Sequence, residues 1–246
     1  EVTFTYNQQS RQVLDTVNFP DGNTGGIVQP DAVTLAGNFQ QLLGCSGDWQ
    51  ADCSATGLQF SEQDQRWYRQ FTLPAGEWQF KVTINNSWEE NYGRYAAAGG
   101  ENISLHLDKA TPVTFFYKHG THWITSSEHA LMLNVAGDFQ TLLGCDSNWS
   151  ADCFRSWLQD PDENGFYTFT TTAIPPGNYQ AKVVRGSNWQ TAWGDEQGNN
   201  LNFSVTSEQQ PVHFTFDSTS ERVYIGEPIN SGDLRKAKAY WLDATT

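Results

Sequence analysis

Short alternations of apolar and polar residues run along most of the chain. They are clearest at Trp78–Val82, Val113–Tyr117 and Leu201–Val205, where every second side chain is apolar. A two-residue period places the apolar side chains on one face of a strand. Turn-forming residues bound these runs about every 8–12 positions, and no stretch longer than about two turns keeps apolar residues at helical spacing. The pattern predicts an all-β protein.

The chain also contains an internal repeat. Residues 36–53 and 136–153 agree at 12 of 18 positions at an offset of 100. Further matches follow in the same order, Pro74–Val82 with Pro175–Val183 and Pro112–Phe115 with Pro211–Phe214. The repeat predicts two homologous domains of about 95 residues. Strands this short and this numerous predict two tandem immunoglobulin-like antiparallel β-sandwich domains, with a barrel as the alternative.

The repeat also places the domain boundaries. Residues 2–10 read like residues 212–220, so the first residues resemble the closing hairpin of a repeat. Glycine and proline are frequent in the segment that follows, as expected of a linker. The predicted segments, in order, are a hairpin at 1–17, a linker at 18–31, module 1 at 32–127, module 2 at 128–226 and a tail at 227–246.

Four cysteines fall at identical spacing in the two repeats, as Cys45 with Cys53 and Cys145 with Cys153. Pairing within each repeat closes a nine-residue loop, which stabilises by roughly 2.5 kcal/mol in the chain-entropy model. Zinc is the rival interpretation, but neither repeat offers the second pair of ligands that a metal site needs. We therefore expect two disulfides, no metal, and a secreted protein from an oxidising compartment.

Charge and hydropathy exclude two classes of partner. The chain has 28 acidic and 14 basic residues and a net charge of −14, so its surface repels nucleic acid and anionic lipid. Its longest apolar runs are far shorter than the roughly 18 residues of a membrane span. We expect neither a nucleic-acid nor a membrane partner.

Motifs for catalysis or for cofactor binding are not found in the sequence. There is no nucleophile elbow, metalloprotease helix, glycine-rich phosphate loop or Cys-His constellation. None of the five histidines recurs at the matching position of the other repeat. The sequence therefore predicts a non-catalytic protein without a cofactor. The alternative is an enzyme, since the chain has enough carboxylates for a glycosidase-type acid/base pair.

Recurring aromatic residues are the best candidates for a binding site. Ten residues are tryptophan, and an aromatic pair four residues apart recurs as Trp88 with Tyr92 and Trp189 with Trp193. The flanking residues form loops, so we expect both rings of each pair to project to one side, outside the core. Stacking one ring on the apolar face of a sugar would gain about 1.5–2 kcal/mol.

Two further residue types recur near these pairs. Lys81 and Lys182 each lie seven residues before the first aromatic of a pair, and either donate to sugar hydroxyls or are ordinary solvent-facing strand residues. Trp49 and Trp149 recur inside the cysteine loops, where they either pack on the disulfide or form a second sugar platform.

At these residues the chain resembles the β-sandwich modules that precede the catalytic domain of bacterial pullulanases and amylopullulanases. In module 2, Gln190–Trp193 replaces the acidic Glu89–Tyr92, so the two modules need not bind equally. The segments that carry the resemblance are Leu42–Cys53, Leu73–Gly76, Asn86–Gly93, Thr111–Trp123 and, for the start of a following module, Leu234–Asp243. A more distant likeness is to starch- and glycogen-binding modules with a lysine seven residues before a binding tryptophan.

The resemblance implies two partners, an α-glucan polysaccharide or maltooligosaccharide and the catalytic domain of a secreted parent enzyme. The aromatic pairs would stack on glucose rings. The residues that would meet hydroxyls are Lys81, Lys182, Glu90 and Asn91. The alternative is that the modules are spacers or docking domains that pack on the catalytic domain without binding sugar.

Overall fold

The computed structural model describes residues 4–7, 12–15 and 27–226, which form β-strands and short 3-10 turns without an α-helix. The chain divides into two compact units, Glu1–Ala130 and Leu131–Thr246. In the described part of the chain, no helix has the length and apolar character needed to cross a bilayer.

An antiparallel hairpin lies near the N-terminus, with strand β1 (Phe4–Asn7) paired to strand β2 (Gln12–Asp15). The predicted tail at 227–246 and most of the predicted linker at 18–31 lie outside the described residues.

Module 1 comprises eight strands in two antiparallel sheets. The strands are β3 (Val33–Gly37), β4 (Gln59–Ser61), β5 (Arg66–Leu73), β6 (Gly76–Ile84), β7 (Ser87–Tyr92), β8 (Ile103–Leu107), β9 (Thr111–Lys118) and β10 (Trp123–Ser126), with 3-10 turns at Gln41–Leu43, Ser54–Thr56 and Arg94–Ala96. The first sheet is centred on β6, which pairs with β3, β7 and β8. The second sheet has the order β10-β9-β5-β4.

Module 2 repeats this plan with strands β11 to β18. They are β11 (Leu133–Gly137), β12 (Trp157–Leu158), β13 (Phe166–Thr171), β14 (Gly177–Arg185), β15 (Ala192–Trp193), β16 (Leu201–Val205), β17 (Val212–Asp217) and β18 (Arg222–Gly226), with 3-10 turns at Gln140–Leu143 and Phe154–Ser156. The first sheet is centred on β14, which pairs with β11, β15 and β16, and β12 extends it beyond β11. The second sheet has the order β13-β17-β18.

The core of each module lies between its two sheets. In module 1 the alternating pattern sends Leu35, Phe80 and Val82 inward from the first sheet, and the Phe80 ring meets Phe115 of β9 at 4.9 Å between centroids. In module 2 the Phe214 ring of β17 lies 5.6 Å from Phe139. The predicted all-β fold of two tandem β-sandwiches is thus confirmed.

The face of the first sheet opposite the core, here called the outer face, is covered in part by the loop between the two cysteines, here called the disulfide loop. In module 1 the Thr83 hydroxyl on this face donates to the Ala51 carbonyl of the loop at 3.1 Å. In module 2 the Asn134 amide donates to the Ala151 carbonyl at 2.6 Å. Both modules therefore fold the same loop onto the same face.

The disulfides join the residues that the repeat paired. Cys45 bonds to Cys53 with their Cα atoms 5.8 Å apart, and Cys145 bonds to Cys153 at 6.0 Å. Among the described residues no cysteine is free.

A buried glutamine fixes each disulfide loop to the end of the first strand. The Gln40 Oε1 accepts the backbone N–H of Gly37 and of Gln50, and its Nε2 donates to the Gln50 carbonyl at 2.9 Å and to the Thr56 hydroxyl at 2.8 Å. Gln140 makes the same bonds to Gly137 and to both backbone groups of Ser150. Each side chain thus replaces the backbone partners that the loop lacks.

We expect Gln40→Ala to destabilise module 1 by about 2–4 kcal/mol, because it leaves buried backbone groups of Gly37 and Gln50 without partners. Calorimetry would show this as a lower melting temperature for one of two transitions. The exposed neighbour supplies the control, since Gln41→Ala should change that transition little. Equal shifts for the two variants would contradict the role given to Gln40.

Candidate functional site

Strand pairing decides which candidate side chains share the outer face. Residues directly opposite each other in an antiparallel pair lie on the same face. Asn91 is opposite Thr83, which bonds the disulfide loop, so Asn91 belongs to the outer face. Tyr92 is opposite the core residue Val82 and therefore faces the core.

Tyr92 is a core residue. It is 8% exposed, and its ring stacks on His122 at 4.0 Å with an interplanar angle of 5° and on Tyr117 at 6.0 Å. Its hydroxyl donates to Glu90 at 2.9 Å, and burial, followed by this hydrogen bond, raises its pKa. The expectation that Tyr92 lies outside the core beside Trp88 is wrong.

A bulge in the ladder separates the two rings. Pairing between β6 and β7 steps from Thr83 opposite Asn91 directly to Ile84 opposite Ser87. The three residues 88–90 therefore leave the ladder. In a regular strand residues four apart share a face, but the bulge removes this relation between positions 88 and 92. Trp88 lies in this bulge and is 40% exposed.

Module 2 also separates the two rings of its predicted pair, by a loop. Trp193 is opposite the core residue Val183, and its ring packs on Phe216 at 4.6 Å. Trp189 lies in the loop before β15 and is 46% exposed. In both modules, therefore, the first ring of the predicted pair is exposed and the second packs inward.

The exposed tryptophan of module 2 meets the tryptophan of the disulfide loop. The rings of Trp149 and Trp189 lie 6.2 Å apart between centroids at an interplanar angle of 41°. These rings come from positions 40 residues apart, which sequence spacing does not connect. Together they form an aromatic surface at the border of the outer face, here called the tryptophan platform.

The tryptophans of both disulfide loops adopt an unusual backbone conformation. Trp49 and Trp149 each have φ of 58°, in the left-handed region that bulky residues rarely adopt. The Trp49 N–H donates to Gly37 at 3.3 Å and the Trp149 N–H to Gly137 at 3.0 Å. Strain of this kind costs about 1–3 kcal/mol and is typical of functional positions. Both rings are half-buried, so the loop places them against the sheet without enclosing them.

Both predicted lysines lie on the outer face. Lys81 is opposite Ala36 and is 9% exposed, and burial lowers its pKa. Lys182 is opposite Ala136 and is half-buried, and its ammonium donates to the Gly198 carbonyl at 2.7 Å. Each lysine thus projects from the face that the disulfide loop covers in part.

Asn91 and Glu90 stabilise the bulge that carries Trp88. The Asn91 amide donates to the Trp88 carbonyl at 2.9 Å, and Glu90 accepts the Tyr92 hydroxyl. Through Asn91 and Glu90, these bonds connect the segment of the exposed Trp88 to the buried Tyr92.

Sequence reasoning missed a row of amides beside the lysines. In module 1 the Asn102 amide donates to Gln79 at 3.2 Å, and in module 2 the Asn200 amide donates to Gln180 at 3.0 Å. The glutamines precede Lys81 and Lys182 by two residues and so share the outer face. The sequence signal that could have revealed this row is the glutamine two positions before the lysine in both modules.

In module 1 the amide row ends in charged residues, at the end of β6 that is farther from Lys81. His106 of β8 lies opposite Glu77 of β6, and its two ring nitrogens meet the carboxylates of Glu77 and Asp108. The hydrogen bonds to Asp108 and to Glu77 raise the pKa of His106 above 6.5. In the described part of the chain, no group of three or more His, Cys, Asp or Glu residues is arranged to hold a metal ion.

We expect Asp108→Asn to lower the pKa of His106, because the substitution removes a carboxylate that accepts a hydrogen bond from the imidazolium. Ring-proton NMR titration would measure the shift, with His106→Gln used to assign the resonance. Because the folded-state pKa is raised, these bonds add stability below pH 6.5 that is lost as the pH rises through the raised value. Glu101→Gln is the control, and a His106 pKa unchanged by Asp108→Asn would contradict the arrangement.

Comparison with known proteins connects this fold to one family. The model of the pullulanase X25 domain matches residues 32–124 and again residues 132–223. The chain therefore belongs to the pullulanase X25 domain family and contains two copies of the domain in tandem.

The relatives that match this sequence are much longer proteins than this chain. The amylopullulanase of Thermoanaerobacter thermohydrosulfuricus is 30% identical over 79% of this chain and 13% of its own length. That of Thermoanaerobacterium saccharolyticum is 28% identical over 76% of this chain and 14% of its own length. A solved pullulanase from Bacillus acidopullulyticus aligns with 80% of this chain and 28% of its own at 15% identity and a TM-score of 0.36. The chain thus spans about one seventh of the curated relatives.

Proposed function

We propose that the two modules bind starch-type α-glucans on their outer faces. The observation that carries the proposal is the tryptophan platform of module 2, in which Trp149 and Trp189 meet. Trp149 belongs to the disulfide loop, which bonds the outer face at Asn134, and Lys182 lies on that face. Module 1 places Trp49, Trp88 and Lys81 on the corresponding elements. A solvent-accessible aromatic pair with polar donors on the same module is the chemistry that a flat, hydroxylated ligand requires.

The strength expected of one such site follows from areas and bonds. Two rings that each stack on one glucose unit would gain about 3–4 kcal/mol in total, before losses. Each hydrogen bond from a lysine or amide to a hydroxyl would add about 0.5–1.5 kcal/mol. Because association costs at least about 4 kcal/mol, one module should bind weakly. Two modules on one polymer gain through avidity, which gives the duplication a function.

The inward-packed members of the predicted pairs receive a supporting role in this proposal. Tyr92 and Trp193 anchor the segments that carry Trp88 and Trp189, and in module 1 Glu90 and Asn91 stabilise the bulge. The exposed rings would contact sugar, and the inward-packed rings would fix where those contacts lie.

In the intact protein the modules would keep a catalytic domain on its substrate. The relatives are amylopullulanases, a name that refers to α-glucans, and this chain spans a small part of them. We infer that the tandem is a non-catalytic part of a secreted enzyme of this type. The chain on its own should release no reducing sugar from starch or pullulan.

Affinity electrophoresis tests the proposal. In a native gel that contains amylopectin we expect the chain to be retarded, and we expect Trp88→Ala with Trp189→Ala to remove most of the retardation because it removes the exposed tryptophan ring of each module. Each single substitution should leave partial retardation, since the other module still binds.

The control is an aromatic residue of equal exposure on the second sheet. Tyr68 is 40% exposed on β5, so Tyr68→Ala should keep full retardation. Unchanged mobility of the unsubstituted chain with and without amylopectin would reject sugar binding and favour the spacer alternative.

A further inference from the structure

A shallow groove lies on the outer face of module 2 at the end of the first sheet that is remote from Lys182. Its volume is about 500 Å³. The polar residues that line it are Asp138, Asn178, Gln180, Asn202 and Ser204. The four from β14 and β16 form two directly opposed pairs, Asn178 with Ser204 and Gln180 with Asn202.

Strand β14 connects the groove to Lys182 of the proposed glucan site. Asn178, Gln180 and Lys182 alternate along β14, so all three side chains share the outer face at steps of roughly 7 Å. A linear ligand that contacts Lys182 and follows the strand would therefore pass over Gln180 and then Asn178.

The lining of the groove suits a neutral, hydroxylated ligand. The Gln180 amide donates to Asn202 at 2.9 Å, and the Ser204 hydroxyl donates to Asn178 at 2.7 Å. The Asp138 carboxylate accepts the backbone N–H of Gln180 at 2.9 Å. These bonds hold the side chains in place and leave the remaining amide protons and lone pairs on exposed residues for a ligand. An anion site would carry lysine or arginine in its lining. The lining of this groove has neither.

Module 1 differs at the same positions. Glu77 stands where module 2 has Asn178, and His106 stands where it has Ser204, with Asp108 on the other side of the imidazole. A sugar placed there would have to displace water from two carboxylates that already bind the imidazole, which is less favourable than desolvating amides.

We propose that this groove extends the glucan site of module 2 and binds further glucose units of the same chain, whereas the site of module 1 ends earlier. This inference rests on the proposed function, since it lengthens the same site. It assigns module 2 a larger gain in affinity with ligand length than module 1.

The test compares short and long maltooligosaccharides in the full chain. Trp88→Ala gives a protein that reports on module 2, and Trp189→Ala gives one that reports on module 1. Calorimetric titration with maltotriose and maltoheptaose should show a larger gain with length for module 2 than for module 1.

Substitutions in the groove should remove that gain. In the module 2 reporter, Asn178→Ala with Ser204→Ala should weaken maltoheptaose binding about five- to tenfold, as expected for the loss of one or two hydrogen bonds, and should leave maltotriose binding within about twofold. Thr168→Ala on the second sheet is the control. In the module 1 reporter, Glu77→Asn with His106→Ser should create a gain with length.

Each other result has a defined meaning. If the groove substitutions change neither ligand, or weaken both equally, the extension is rejected while glucan binding stands. If module 1 shows the same gain with length as module 2, the difference between the modules is rejected. If neither reporter nor the unsubstituted chain binds either sugar, the proposed function itself fails.

Discussion

Both modules depend on the bonds between one buried glutamine side chain and the disulfide loop. A loop closed by a disulfide can still move as a unit, and the bridge alone does not fix it to the sheet. Gln40 and Gln140 fix it by bonding the loop backbone and the end of the first strand at once. With the loop fixed, the following tryptophan is held in a left-handed backbone conformation beside the outer face, and the platform of module 2 is built on that position.

Much of the fold could be predicted because its determinants are local or repeated. The two-residue period gave the strands, the offset of 100 gave the two modules, and equal cysteine spacing selected one disulfide pairing over the others. The candidate site was harder to predict from the sequence. Spacing placed Trp88 and Tyr92 on one side, but the bulge at residues 88–90 sends Tyr92 into the core. A bulge depends on pairing with β6, which no pattern within β7 contains.

The meeting of Trp149 with Trp189, and the amide row, were missed for a related reason. Both join residues from elements distant in sequence. The packing of two loops brings the tryptophan rings together, and the sheet register places the amides on one face. The same register shows how the modules diverge. Their lysines, glutamines and tryptophans correspond, whereas Glu77, His106 and Asp108 have no charged counterparts along β14 and β16. Duplication kept one end of the outer face and changed the other.

The left-handed conformation at Trp49 and Trp149 also bears on how such a module changes over generations. At that backbone angle glycine or asparagine would be easier to accommodate than tryptophan, so random substitution has a route towards greater stability that removes the ring. Two copies that have separated at many other positions have both kept the strained residue. Its persistence in both copies means that the half-buried ring offsets this backbone cost, through its packing on the module or through its exposed part.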